Sequence, residues 1–181
     1  MKKIHALALA SFGVEKNVKA WPFKEAPEVE AWGAEDRKAL EERLVALKGK
    51  TFTHAIPPEP AWQKLKADPK AAWVGVPPET RVLDFADKPT CAQLQLLHGA
   101  ETFLWIVIGY GISGDAPPSV SIRLQAVVFN REAQVVWMNV YDESCRVPGE
   151  APLPDRVAVE EAMKRCSRQA IEHVAAALEG Q

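Results

Sequence analysis

This sequence is short of the features that announce an enzyme, a nucleic-acid binder or a membrane span. No stretch of five or six basic residues occurs and the formal net charge is −2, so a polyanion meets no concentrated positive charge. Cysteine is limited to Cys91, Cys145 and Cys166. None of them stands at a CxxC or Cys/His spacing, which argues against a zinc framework. The four histidines, His5, His54, His98 and His173, fall on separate elements without a partner at metal or triad spacing. No apolar run has the length of a transmembrane helix, and the longest, around Phe103–Ile108, is strand-like. Gly109-Tyr-Gly-Ile-Ser-Gly114 has the outward form of a phosphate loop. It follows a strand and runs into Pro117-Pro118 rather than a helix, so no free helix N-terminus receives a phosphate. Neither a cofactor nor a metal is expected.

What is present is the balance of a chain that buries a core: 48% hydrophobic and 25% charged residues over 181 positions. That size suits one α/β domain spanning 1–181, with irregular Pro- and Trp-bearing segments at 13–33 and 56–89. Lys2-Lys3 and the apolar residues after them have some of the form of a short export signal. His5 within the run, and Glu15 and Lys16 soon after it, favour a first strand over Ile4–Phe12. Leu40, Leu44 and Leu47 share one face of a helix over Ala34–Leu47, which Gly49 ends. Thr51–Ala55 reads as a short strand, and Thr90 caps a short helix over Cys91–Leu97.

Glu101–Ile112 is apolar on both faces, as a central strand should be, with a bend or bulge expected at Gly109 and Gly111. Val120 to Val128 alternates with polar residues, Asn130–Ala133 is a hairpin turn, and Gln134–Tyr141 returns beside it. Asp155 stands where it can cap a long final helix with the stripe Val159, Met163, Cys166, Ala170, Val174 and Ala177. The order predicts an α/β (α+β) fold. It has a single mixed sheet with a C-terminal antiparallel hairpin, packed by helices that include the long C-terminal one.

Candidate functional residues are few. Trp21, Trp32, Trp62 and Trp73 lie in the irregular segments; they either pin those segments to the core or anchor a protein partner. Asp142 and Glu143, placed just past a strand end, suit a solvated terminus better than a pair of catalytic carboxylates, which need distinct environments. Ser144-Cys145 lacks a nameable base. In an oxidising compartment Cys145 would pair with Cys166; three reduced, buried thiols are the competing reading.

His98-Gly-Ala-Glu followed by Thr102-Phe-Leu-Trp-Ile-Val-Ile-Gly109, and Val120–Phe129 followed by Asn130-Arg-Glu-Ala-Gln-Val-Val-Trp-Met-Asn, resemble a bacterial cell-envelope group. That group includes the CsgG curli-secretion lipoprotein, the LpoB penicillin-binding-protein activator and the TolB N-terminal domain. The opening strand, the Ala34–Leu47 helix and the final helix fit it as well. Glu101 replaces the group's aspartate, Ala133 or Gln134 stands at the glycine of its turn, and no lipobox cysteine lies near the N-terminus. The resemblance implies a non-enzymatic, envelope-associated domain, periplasmic or cell-envelope in location, that binds protein partners or assists assembly. Self-association stays open. A cytoplasmic adaptor of the same fold, or a hydrolase or transferase using Asp142, Glu143 and His98, are the alternatives.

Overall fold

The computed structural model describes residues 4–15, 18–53, 100–113, 117–149 and 155–181. Among them the order is β1 (Ala6–Val14), α1 (Val29–Val45), β2 (Thr51–Thr53), β3 (Thr102–Ser113), β4 (Ser119–Asn130), β5 (Val135–Arg146) and α2 (Arg156–Glu179). The strands form one mixed sheet in the order β2-β1-β3-β4-β5. β1 runs parallel to both β2 and β3, and β3, β4 and β5 are antiparallel neighbours. The expected mixed sheet, its C-terminal hairpin and the long final helix are therefore present.

β3 sits at the centre for the reason its sequence gives. Leu104, Ile106, Ile108, Tyr110 and Ile112 belong to the core beneath the helices, while Phe103 and Trp105 are buried on the other face. A strand covered on both sides keeps no polar alternation. β4 shows the contrast: Val120, Ile122, Leu124, Ala126 and Val128 face the helices, and Ser121 and Arg123 are exposed. The stripe on α2 closes that core through Val159, Met163, Cys166, Ala170 and Val174, all buried, while Ala177 is only half-buried. Asp155 occupies the N-cap position, yet its side chain makes no capping hydrogen bond.

Several local expectations are corrected. α1 begins at Val29, not Ala34, so the irregular stretch is shorter than 13–33 at both ends, Gly13 and Val14 belonging to β1. Val29, Trp32, Gly33 and Asp36 continue the buried face of Leu40 and Leu44 by threes and fours. The bend expected at Gly109 and Gly111 is absent, since β3 pairs with β4 without a register shift along its whole length. Those glycines answer to crowding instead. A Cβ on Gly109 would lie 2.7 Å from the Glu15 carboxylate, and one on Gly111 2.6 Å from Ser121 Oγ. The shifts fall elsewhere, between Leu9 and Ser11 on β1 and at the start of β5. β5 also runs on to Arg146, so Asp142 and Glu143 lie inside a strand and not beyond its end. The expected helix over Cys91–Leu97 and the segment 56–89 fall outside the described residues.

Two backbone positions generate tests. Gly33 faces Val14 so closely that a Cβ there would sit 2.3 Å from Val14 Cγ2. Gly→Ala inside a helix ordinarily stabilises by about 1 kcal/mol; here the clash reverses the sign. Gly33→Ala should lower stability by roughly 1–3 kcal/mol in urea titration, and a rise in midpoint would show that Val14 moves freely. At the β4–β5 turn, Asn130 Oδ1 accepts from the backbone N–H groups of Glu132 and Gln134, and Ala133 is forced to φ 59°. The left-handed conformation costs a residue with a Cβ about 1 kcal/mol or more. Ala133→Gly is expected to raise the thermal midpoint, and an unchanged or lower midpoint would remove the strain argument.

Candidate interaction surface

A buried polar cluster fixes how the helices meet the sheet. Asp36, 4% exposed, lies on the apolar face of α1. Tyr110 of β3 donates its hydroxyl to Asp36 Oδ2 at 2.7 Å, and Ser167 Oγ of α2 stands 2.7 Å from Oδ1. Burial pushes the Asp36 carboxyl above the ordinary carboxylate range, against the pull of its hydrogen bonds to Ser167 and Tyr110 and the charge of Arg168. Burial, and then the negative Asp36, push the Tyr110 hydroxyl up as well, so it keeps its proton and donates. Ser167 Oγ is also 3.2 Å from the Lys164 carbonyl. Ser167 thus reaches both the Asp36 carboxyl and the carbonyl one turn before it. None of the three residues stood out in the sequence. The available signal was that Asp36 falls four residues after Trp32 and four before Leu40, a carboxyl in register with an apolar stripe.

From this cluster an aromatic series leads outward. Trp32 meets Tyr110 edge-on at 5.5 Å, Trp21 lies 5.7 Å from Trp32, and Phe23 meets Trp21 at 5.0 Å. The Trp21 indole donates to the Glu25 carbonyl at 2.7 Å, and the Arg156 guanidinium sits 5.9 Å over its ring. Of the four candidate tryptophans, Trp32 is 6% exposed and supports the arm from beneath. Trp21 with Phe23 remains half-exposed at its surface. Trp62 and Trp73, like His98, lie outside the described residues.

The other surface of note is the β5 edge. Facing the helices along β5 are Trp137, Asn139, Tyr141, Glu143 and Cys145, opposite Val128, Ala126, Leu124, Ile122 and Val120 of β4. Glu143 lies 2.6 Å from His173 Nδ1 and the Tyr141 ring is 6.2 Å from the same imidazole, so α2 covers this end of the strand. Asp142 points to the opposite face, 3.7 Å from Arg123. Neighbouring carboxyls on opposite faces do not share a substrate, and the arrangement does not assemble the Asp142/Glu143 site considered as an alternative. Cys145 and Cys166 are free, buried thiols facing one another across β5 and α2, with Cys145 donating to Gln169 Oε1 at 3.2 Å. Burial, and then the hydrogen bond with Cys145, push the Cys166 thiol up.

On the face of β5 away from the helices, Met138 is 54% and Val140 36% exposed, and Val135 at its start is 45% exposed. The Val140 N–H points away from β4, because Asn139 Oδ1 accepts it at 2.9 Å. Along an antiparallel strand each residue's N–H and C=O share one side and alternate. Met138, Val140, Asp142 and Ser144 therefore turn their backbone polar groups outward. The Arg146 carbonyl, next in that series, is taken by Arg165 at 2.9 Å.

Other chemistry is sparse among the described residues. They hold no group of three His, Cys, Asp or Glu side chains that could ligate a metal, and no helix long and apolar enough to cross a membrane. A recess of about 180 Å³ beside Thr102, Asn130 and Glu132 is smaller than a usual small-molecule site.

Neither a family model nor a curated protein matches the sequence. Solved structures do match. The hypothetical protein CT253 from Chlamydia trachomatis aligns with a TM-score of 0.59 at 14% identity, over 99% of this chain and 97% of that one. A putative neuraminyllactose-binding hemagglutinin homolog from Helicobacter pylori aligns at 0.50 and 15% identity, over 96% and 85%. The LpoB C-terminal domain from Escherichia coli, from the group that the sequence resembles, is also among them at 0.43 and 13%, over 78% and 84%. At these identities the first two show a shared fold and no more, and the third carries no argument at its score.

The raised Asp36 carboxyl gives a pH test. The folded chain holds this proton more tightly than the unfolded chain does, so between the unfolded value near pH 4 and the higher folded value, stability falls as pH rises. Asp36→Asn lacks that loss and can still accept from Tyr110. Urea titrations from low to neutral pH should show the variant gaining on the parent as pH rises. The parent gaining on the variant would mean that the carboxylate is the favoured form.

Proposed function

We propose that this chain is a protein-binding domain of the bacterial cell envelope that acts by assembly rather than catalysis, with the β5 edge as its contact surface. One observation carries the reading: a twelve-residue outer strand whose described flank has no further strand, with Met138 and Val140 exposed on its open face. Edge strands are usually blunted by lysine, proline or shortness. β5 contains neither lysine nor proline. Strand addition supplies main-chain hydrogen bonds along such an edge and apolar contacts for alternate side chains. The half-exposed Trp21 and Phe23, with Trp62 and Trp73 of the sequence, are candidates for a second contact.

The envelope assignment rests on the sequence resemblance, and it bears on the two facing thiols. In an oxidising compartment, exchange with a disulfide donor would take both sulfurs to one bond and release the donor as two thiols, tying β5 to α2. A chain recovered from the envelope without reductant should then titrate Cys91 alone after denaturation, whereas a cytoplasmic chain titrates all three cysteines.

The contact surface is tested in cells with a photoreactive amino acid in place of Met138, and with another in place of Val45, which is 58% exposed on α1. Protein adducts are expected from the β5 position, in the envelope fraction, and not from α1. No adduct from β5, or a chain confined to the cytosol, defeats the reading.

A further inference from the structure

We infer that the occupant of the β5 edge is a second copy of this chain, paired antiparallel through the same strand with Asn139 on the two-fold axis. The inference rests on the reading of β5 as a contact edge and adds the partner and its register. Because outward groups belong to even-numbered residues beyond the shift at the strand's start, a symmetric pairing must oppose residues whose numbers sum to an even value. Registers centred on Met138, Asn139, Val140, Tyr141 or Asp142 are then distinguishable by what they bring together.

Centring on Asp142 places two carboxylates directly opposite one another, which is unfavourable. Centring on Val140 opposes Met138 to Asp142 and Trp137 to Glu143. Centring on Met138 opposes Trp137 to Asn139. Centring on Tyr141 opposes Val140 to Asp142 and Asn139 to Glu143. The Asn139 centre sets apolar on apolar and aromatic on aromatic around the axis, with Asp142 falling opposite Val136 at the strand's start. Away from the helices Met138 meets Val140 of the partner and the reverse, joining two exposed apolar side chains of the edge. On the helix face Trp137 meets Tyr141 of the partner and the reverse. Both are half-buried against the core, and a cross-strand aromatic pair is among the better ones. The two Asn139 amides meet on the axis, and Asp142 and Glu143 fall away from their counterparts.

The hydrogen bonds agree with this register. Met138 and the partner's Val140 form a hydrogen-bonded pair, so the Val140 N–H exchanges Asn139 Oδ1 for the partner's Met138 carbonyl. Asn139, now opposite its own copy in a non-hydrogen-bonded pair, is free to turn its amide across the axis. In the single chain, then, Asn139 shields the one N–H at the middle of the edge. Further along, the Arg165 contact to the Arg146 carbonyl closes the strand end to pairing. Among the described residues, no strand lies against the outward side of the stretch centred on Asn139.

The test uses the full chain. Sedimentation equilibrium should show a concentration-dependent rise from the 19.9 kDa monomer toward twice that mass. Val140→Pro removes an N–H that no β4 carbonyl uses, so folding should survive, as checked by circular dichroism, while self-association weakens at least about tenfold. Asn139→Cys provides the register. Opposed residues of a non-hydrogen-bonded pair have Cα atoms about 4.5 Å apart, within disulfide reach. Mild oxidation should give a covalent dimer that Val157→Cys, on exposed α2 surface, and the parent chain do not form. A chain that stays monomeric at every concentration, or a dimer that Val140→Pro leaves intact and Asn139→Cys does not cross-link, overturns the inference. A photoprobe at Met138 that labels other proteins from a monomeric chain would keep the contact edge and discard only the self-pairing.

Discussion

A buried carboxyl held by two hydroxyls sets the geometry on which the rest of this fold depends. Asp36 comes from α1, Tyr110 from β3 and Ser167 from α2, and each distance is 2.7 Å. Apolar packing alone would let the two helices slide across the sheet by small amounts at little cost, since dispersion has no direction. A shared carboxyl does not permit that. Any shift leaves a buried hydroxyl or carboxyl unpaired, at a cost of about 1–3 kcal/mol per group. The cluster therefore adds more to the uniqueness of the arrangement than to its net stability, and the raised carboxyl shows that burial is only partly compensated. The same register brings Gly33 onto Val14 and sets Trp32 against Tyr110. That contact in turn holds Trp21 and Phe23 in place.

How far the sequence speaks depends on whether a residue's partner is near it in the chain. The apolar stripes of Leu40 and Leu44, and of Val159 through Val174, declare their helices because periodicity is local. β3 declares itself central because a run from Phe103 to Ile108 has no wet face. Gly33, by contrast, reads as helix punctuation until Val14 is seen to need the space, nineteen positions earlier. Asp142 and Glu143 read as a strand end because two adjacent acids rarely sit within a strand. They stay in β5 because Arg123 and His173 take them on opposite faces, and neither partner is close in sequence. Asp36 and Ser167 were hidden in the same way: each sits on an apolar stripe whose polar exception makes sense only once the other is present. The edge was the hardest to read, since outwardness is a property of strand order. The Val140 N–H bonded to Asn139 Oδ1 marks which side of β5 faces outward.

The two ends of the sheet are treated differently, and that difference bears on what the molecule does. β2 ends its side with a strand of three residues, Thr51–Thr53. A short edge offers few groups to a passing strand. Among the described strands, β5 ends the other side at full length. Its far half is held from above by the contacts of Glu143, Cys145 and the Arg146 carbonyl with α2. Among the described residues, its near half, around Asn139, makes no such hydrogen bond to α2. An edge left open along one half and fastened along the other is a directed surface, which favours one register over the several that a uniformly bare strand would allow.

Asn139 decides what kind of edge this is. A lysine or proline at the middle of β5 would block pairing permanently, whereas an asparagine covers one N–H with a bond that an incoming carbonyl can replace. The exchange is close to neutral in hydrogen bonds, so the free energy of pairing must come from what the side chains bury. On the open face that is Met138 and Val140, and on the helix face Trp137 and Tyr141, the same residues that the symmetric register sets against one another. A partner strand of unrelated sequence would have to supply apolar groups on both of its faces at matching positions to do as well. The chain's own β5 already has them. Under the proposed register, Asn139 covers the Val140 N–H in the single chain and gives it up to the partner's Met138 carbonyl on pairing.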